Sequence, residues 1–225
     1  MQTPKNKSVK RSFLGKTPDE RHEERREKFL VAGKVIFGDR GFQDAKVRDI
    51  CAEAGLTERY YYETFGSLPK LYEAVYYREL AVLQGTLDKV VATGPREPEV
   101  MALALLRAYY SLLFNDQRLA RILIIDIYGA ASNIRELYKH GIQKFSDRFG
   151  LLAAFGLKSI DDKKLDDAMI STALIGTASS LAMRWFIGGY QEPMESVVTN
   201  CYAIFLAVIR MSQSGESFDL PTIPN

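Results

Sequence analysis

Residues Val47 to Phe65, VRDICAEAGLTERYYYETF, constrain this chain more than any other stretch. Val47, Ile50, Cys51 and Ala54 recur at helical spacing and form one apolar face. Gly55 breaks the pattern where a residue without Cβ can take a left-handed backbone conformation. Thr57 follows as an N-cap, its hydroxyl placed to accept from the free N–H groups that open the next helix. In that helix Tyr61 and Phe65 stand four apart as a core-facing pair, with Arg59, Tyr60 and Thr64 off that line. A short helix, a glycine turn and a capped second helix carrying polar and aromatic residues make a helix-turn-helix. The motif predicts a second helix that enters the major groove of duplex DNA, N-terminal residues first.

The flanks extend the pattern. Upstream, FLVAGKVIFGDRGFQDAKVRDI holds an amphipathic helix that ends near Asp39-Arg40-Gly41. Downstream, YETFGSLPKLYEAV leads into another helix. Over residues 25–75 the order is apolar helix, Ile-Phe, a Gly-Phe pair, Val-Arg-Asp-Ile, Ala-Gly-Leu-Thr, Tyr, Phe, Ser, Leu. This order resembles the DNA-binding domain of the TetR family of bacterial transcriptional repressors. The remainder is similar to that family only in length and helical character. The resemblance implies an all-α protein: a three-helix DNA-binding head, then a helical body for ligand binding and dimerisation. It implies a homodimer on a palindromic double-stranded operator, released by a small hydrophobic effector, with repression as the default sign and activation as the alternative.

Composition fits a folded, water-soluble chain. Its 225 residues suffice for one or two domains and a substantial core. Hydrophobic content of 47% and charged content of 26% are ordinary for such proteins. The two cysteines, Cys51 and Cys201, lie far apart on apolar helical faces. They read as small buried residues rather than a disulfide or redox pair, which favours a cytoplasmic setting. The basic N-terminus lacks the apolar run of a secretory signal. The longest uncharged stretch, Ala168 to Met183, is short and polar for a membrane span and reads as a buried helix.

A net charge of +2 argues little about nucleic acid, but its distribution says more. Residues 1–70 carry 15 Lys/Arg against 11 Asp/Glu, while the remainder carries 15 against 17. Residues 1–16 hold Lys5, Lys7, Lys10, Arg11 and Lys16 and no acid. They read as a disordered basic arm that either follows DNA phosphates or stays in solvent.

Helix signals divide the rest. Thr17-Pro18-Asp19-Glu20 predicts an N-terminus, with Thr17 as cap, Pro18 at the first helical position and acids at the positive end. The helix runs to about Asp39 with Phe29, Val31, Ala32, Val35, Ile36 and Phe37 as core. Ser67 caps a long helix that ends near Thr93-Gly94-Pro95, a pair that stops helices. Further helices are predicted at about 97–114, 116–132, 134–155, 161–187 and 194–213, roughly nine in all. The expected domains are a head at 17–66, a body at 67–213 and a loose tail at 214–225. No alternation typical of strands and no repeat appears.

Candidate site residues follow. Arg59, in the first turn of the recognition helix, either reads guanine through paired donors to O6 and N7 or contacts phosphate. The family resemblance places Tyr62 on phosphate through its hydroxyl. Tyr60 and Thr64 are further candidates, and Thr57 can donate to phosphate as well as cap. Lys46 and Arg48 open the preceding helix, where N–H groups and positive charge favour an anion. Three positions depart from the family pattern: Leu68 replaces a lysine, Tyr61 replaces a leucine, and Glu58 puts an acid in the first turn.

In the body, Tyr109, Tyr110, Phe114, Tyr128, Phe149, Met183, Trp185 and Phe186 either line a pocket for a hydrophobic ligand or fill the core. Asp126 interrupts an apolar run. It faces a cationic ligand, pairs with an arginine such as Arg107 or Arg184, or faces solvent. His140 is either a pocket hydrogen-bonder or exposed. Thr172, Gly176 and Ser180, spaced by four, form a flat line where another helix can approach. With the apolar stripe Val197, Val198, Cys201, Phe205, Val208 and Ile209 they predict a two-fold four-helix interface. Such a dimer sets recognition helices about one DNA turn apart, roughly 34–36 Å.

No phosphate loop, HExxH or metal-spaced Cys/His set is present, and no cofactor is expected. With only His22 and His140, nucleophilic triads have little to draw on. An enzyme is the disfavoured class. A helical ligand or partner sensor without specific DNA binding is the alternative, supported by Leu68 and Glu58.

Overall fold

The computed structural model describes residues 17–126 and 166–214. The basic arm at 1–16, the tail from residue 215, Tyr128, His140, Phe149 and the helix expected at 134–155 lie outside the described residues. Among the described residues the chain is all-helical and carries no strand. The helices are α1 (Pro18–Arg40), α2 (Val47–Ala54), α3 (Glu58–Thr64), α4 (Leu68–Thr93), α5 (Pro98–Asn115), α6 (Gln117–Ala120), α7 (Asp167–Ile187) and α8 (Met194–Ser214). Two compact units divide between Val75 and Tyr76, inside α4.

The head is built around α1. Thr17 accepts from the Glu20 N–H at 3.2 Å, and the Glu20 carboxylate accepts from the Thr17 N–H at 2.6 Å. This reciprocal capping box starts the helix where the sequence predicts. Phe29, Ala32, Ile36 and Phe37 are buried, as expected, but Val31 is exposed on the opposite face. Its position two residues after Phe29 turns it away from the buried stripe. The first turns of α4 join this core. A Cβ on Gly33 would stand 2.9 Å from a Val75 methyl, so glycine here permits close approach of α1 and α4. Tyr72 packs edge-on against Phe37 at 5.1 Å and Phe42 at 5.0 Å. These contacts draw residues 68–75 into the head, so the unit boundary falls beyond the expected Ser67.

In the body, α8 lies antiparallel on α5. Glu195 near the start of α8 pairs with Arg107, and Arg210 near its end pairs with Glu99 at the start of α5. These side chains are largely exposed, so the pairs fix register more than they stabilise. The apolar core does the latter: Leu106, Tyr110 and Leu113 of α5 are buried with Leu174, Ala178 and Trp185 of α7 and Val198, Cys201, Phe205 and Ile209 of α8. The Tyr110 hydroxyl donates to the Ala178 carbonyl at 3.1 Å, tying α5 to α7. After α6, capped by Asp116 on the Leu119 N–H, residues Arg121–Ile125 widen into a π-helical turn, closed by the Asp126 N–H on the Arg121 carbonyl. The regular helix expected from 116 is therefore interrupted at Arg121.

The Gly188-Gly189 break ends α7 as predicted. Tyr190 then takes a left-handed conformation, φ 59°, which non-glycine residues rarely adopt. Its ring meets Trp185 edge-on at 4.8 Å and Phe114 at 5.4 Å. The Trp185 Nε1–H donates to the Glu192 carbonyl at 2.8 Å. This aromatic cluster holds the turn that brings α8 back.

Candidate nucleic-acid interface

The turn between α2 and α3 forms as the sequence requires. Gly55 has φ 64° and ψ 33°, and its N–H and that of Leu56 close onto the end of α2. Ile50 and Cys51 point inward, and Val47 and Ala54 are half-buried. Tyr61, standing where the resemblance leads one to expect leucine, is fully buried. It meets Phe29 edge-on at 5.5 Å, and Phe65 joins them. The Tyr61 hydroxyl has no hydrogen-bond partner. Burial, with smaller contributions from Cys51 and Tyr62, pushes its ionisation well above the usual phenol range.

With Tyr61 and Phe65 held below, the first turns of α3 present their other side chains outward. Thr57, Glu58, Arg59, Tyr60 and Tyr62 are all exposed, and Thr64 is half-buried. Thr57 occupies the N-cap position, but its side chain makes no capping hydrogen bond, contrary to expectation. Its carbonyl accepts the first intrahelical bond of α3, from the Tyr61 N–H at 3.3 Å. The Thr64 hydroxyl donates back to the Tyr60 carbonyl at 2.7 Å, committing it to its own helix. Tyr62 is about half exposed, and its ring stands edge-on to that of Tyr61 at 5.4 Å.

Arg59 is exposed and its Nε donates to Glu63 Oε1 at 2.8 Å. This bond, with the Glu63 charge, raises its already high pKa. A pair this exposed is weak, because water screens it. A paired contact to guanine discriminates by about 1–3 kcal/mol. Arg59 can therefore leave Glu63 for a base edge at small cost.

The start of α2 adds basic groups to the same unit. Lys46 is exposed at the N-cap position without a side-chain cap. Arg48 is exposed and 3.5 Å from Asp49, which is held mainly by Arg40 at 2.7 Å. Two further basic residues were not among the sequence candidates. Lys70 is exposed in the first turn of α4, two residues after Leu68. Arg25, on α1, has its guanidinium 4.7 Å from the centroid of the Tyr60 ring. Lys70 is legible from its place after the motif; the Arg25 contact depends on how α1 crosses α3.

In the body, the aromatic candidates among the described residues cluster on α5 and α7. Tyr110 and Trp185 are fully buried, Tyr109 nearly so, and Phe114 stacks on Trp185 at 5.5 Å with its outer face exposed. Hydrogen bonds to the Ala178 and Glu192 carbonyls satisfy the polar atoms of Tyr110 and Trp185. Met183 is half-buried. Arg107 and Arg184, the arginines expected near Asp126, pair instead with Glu195 and Glu192. Leu181, Arg184, Trp185, Glu192, Ser196, Val197 and Asn200 line an open cleft of about 160 Å³ between α7 and α8. That is below the usual size for an effector pocket, about 300 Å³ or more.

The proposed interface residues divide. Thr172 and Ser180 are exposed, Gly176 is half-exposed, and a Cβ there would meet nothing. Val198 and Phe205 do not belong to this surface: both are buried within the chain, because the α8 stripe faces inward toward α5 and α7. Val208 is half-buried, and Ile204 is exposed beside it. Cys51 and Cys201 are free and buried, and burial pushes both thiols up.

No protein-family model and no curated protein matches the chain. Solved structures do. The fatty acid degradation regulator FadR from Bacillus halodurans superposes with a TM-score of 0.69 at 14% identity, over 83% of this chain and 96% of that one. A TetR-like transcriptional regulator from Rhodococcus sp. RHA1 gives 0.61 at 21% identity, over 85% and 94%. FadR from Bacillus subtilis, in complex with stearoyl-CoA, gives 0.67 at 11% identity, over 79% and 96%. What the chain shares with these structures is its fold, a helix-turn-helix head followed by a helical body. The particular fold is that of the TetR-type transcriptional regulators.

Proposed function

We propose that the chain is a dimeric transcriptional regulator that binds a palindromic operator through α3 and is released by a small hydrophobic effector. The observation that carries this reading is the build of α3. A fully buried Tyr61 and Phe65 hold it, while Arg59, Tyr60 and Tyr62 face outward in its first turns. In a helix-turn-helix this is the arrangement that docks N-terminal residues into the major groove. Arg59 reads a base, Tyr62 and Thr57 contact phosphate, and Lys46 and Arg48 hold the backbone at α2.

The dimer uses the outer faces of α7 and α8. Met169 and Ile187 of α7 and Ile204 of α8 are exposed apolar side chains. A two-fold contact along these helices would cover them. The small line Thr172, Gly176, Ser180 permits close approach of a two-fold mate, with Ile204 and Val208 beside it.

The effector class is supported by the body fold and by the acyl-CoA complex of the Bacillus subtilis neighbour. An effector acts only if it favours the arrangement in which the two heads no longer fit successive major grooves. Helix α4 contributes residues to both compact units and is the route for that shift.

Selection of random duplexes on the purified chain tests the reading. Enrichment of a palindrome with half-sites one helical turn apart is expected. No enriched sequence, with weak uniform binding, would overturn it in favour of a helical sensor that does not read DNA.

A further inference from the structure

Most arginines of the head are already engaged with carboxylates. Arg26 lies 3.5 Å from Glu23, Arg40 2.7 Å from Asp49, Arg48 3.5 Å from Asp49 and Arg59 2.8 Å from Glu63. Arg25 is held differently. Its guanidinium lies over the face of the Tyr60 ring, 4.7 Å from the centroid, and its Nε is buried without a hydrogen-bond partner. Tyr60 belongs to the exposed first turns of α3, next to Arg59. A cation on an aromatic face keeps its charge and its outer N–H donors available, since the ring neutralises nothing. The stack also fixes a side chain that would otherwise lose rotamer freedom on binding.

We infer that Arg25 is a phosphate-contacting residue of the DNA interface and that Tyr60 is its positioning residue, holding the guanidinium beside the recognition helix rather than reading a base. This rests on the DNA-binding reading above. It extends the interface from α2 and α3 to α1 and gives Tyr60 a task other than base contact. A planar fork of donors suits a phosphate, and an arginine not paired to a carboxylate gives up no ion pair to reach one.

The test uses the full chain and a duplex carrying the selected palindrome, titrated over a range of salt concentrations. Arg25→Ala is expected to weaken binding by a similar factor on the palindrome and on its single-base variants. It should lower the slope of log affinity against log salt by about 1 per protomer. Tyr60→Ala should reproduce much of that loss in slope, whereas Tyr60→Phe, which keeps the ring face, should retain the wild-type slope. The double variant Arg25→Ala/Tyr60→Ala should be no weaker than Arg25→Ala alone. Thermal melts of each variant separate these effects from unfolding. An unchanged slope in a folded Arg25→Ala chain overturns the proposal while leaving the DNA-binding reading intact. A Tyr60→Phe variant as defective as Tyr60→Ala removes Tyr60 from the positioning role. Absence of salt-dependent duplex binding by the wild-type chain overturns the underlying reading and this proposal with it.

Discussion

Single residues carry the sharpest conflicts in the head. The Tyr61 hydroxyl is buried in an aromatic cluster without a partner, a state that costs about 1–3 kcal/mol in a folded protein. Tyr61→Phe should therefore raise stability by about 1 kcal/mol in chemical denaturation. The same residue gives a pH dependence. Its folded-state ionisation lies above the ordinary value of about 10, because burial disfavours the phenolate. For a group with a raised folded pKa, the stabilising term is present below the unfolded value and is lost as pH rises past it. Tyr190, pushed up to about 12 by burial, acts in the same direction. Unfolding free energy should thus fall as pH rises above about 10, and Tyr61→Phe should flatten part of that fall. An equally steep fall in the variant would place the alkaline sensitivity elsewhere. Arg59 supplies the functional prediction at this scale: Arg59→Ala should weaken operator binding and relax preference at one base pair per half-site, without lowering the melting temperature. Affinity unchanged across operator variants would remove it from base reading.

At the scale of elements, the helix-turn-helix is set by local chemistry and was therefore legible. The Thr17 capping box, the Pro18 start, the left-handed Gly55 and the Tyr61–Phe65 pair each act through neighbours a few residues away. Features that depend on distant packing were not. Whether the α8 stripe turns toward α5 or toward a partner cannot be read from periodicity, which is the same in either case. Hence Val198 and Phe205 were expected on a surface and lie in the core. The π-helical turn at Arg121 and the positive φ of Tyr190 likewise have no spacing signature. The cation over Tyr60 requires knowledge of how α1 meets α3. A test of the local logic is Gly55→Ala. A Cβ there meets nothing, so the cost is the left-handed conformation alone, about 1 kcal/mol. A denaturation midpoint equal to wild type would show that the turn does not depend on glycine.

At the scale of the whole molecule, the proposed binding to a palindrome needs two copies acting together. The open face at Gly176 offers a way to separate folding from assembly, since a Cβ added there has no neighbour within 4 Å among the described residues beyond its own helix. Gly176→Arg should give a folded monomer by sedimentation and lower operator affinity at least tenfold. A variant that remains dimeric would move the interface off the small-residue line. The most direct test of the central claim is an anisotropy titration of the wild-type chain on its selected palindromic duplex and on a scrambled duplex, at two salt concentrations. Affinity for the palindrome should be at least about a thousandfold tighter than for the scrambled duplex, and should fall as salt rises. Equal, weak affinity for both duplexes would contradict that claim and identify the helix-turn-helix as scaffold for a sensor.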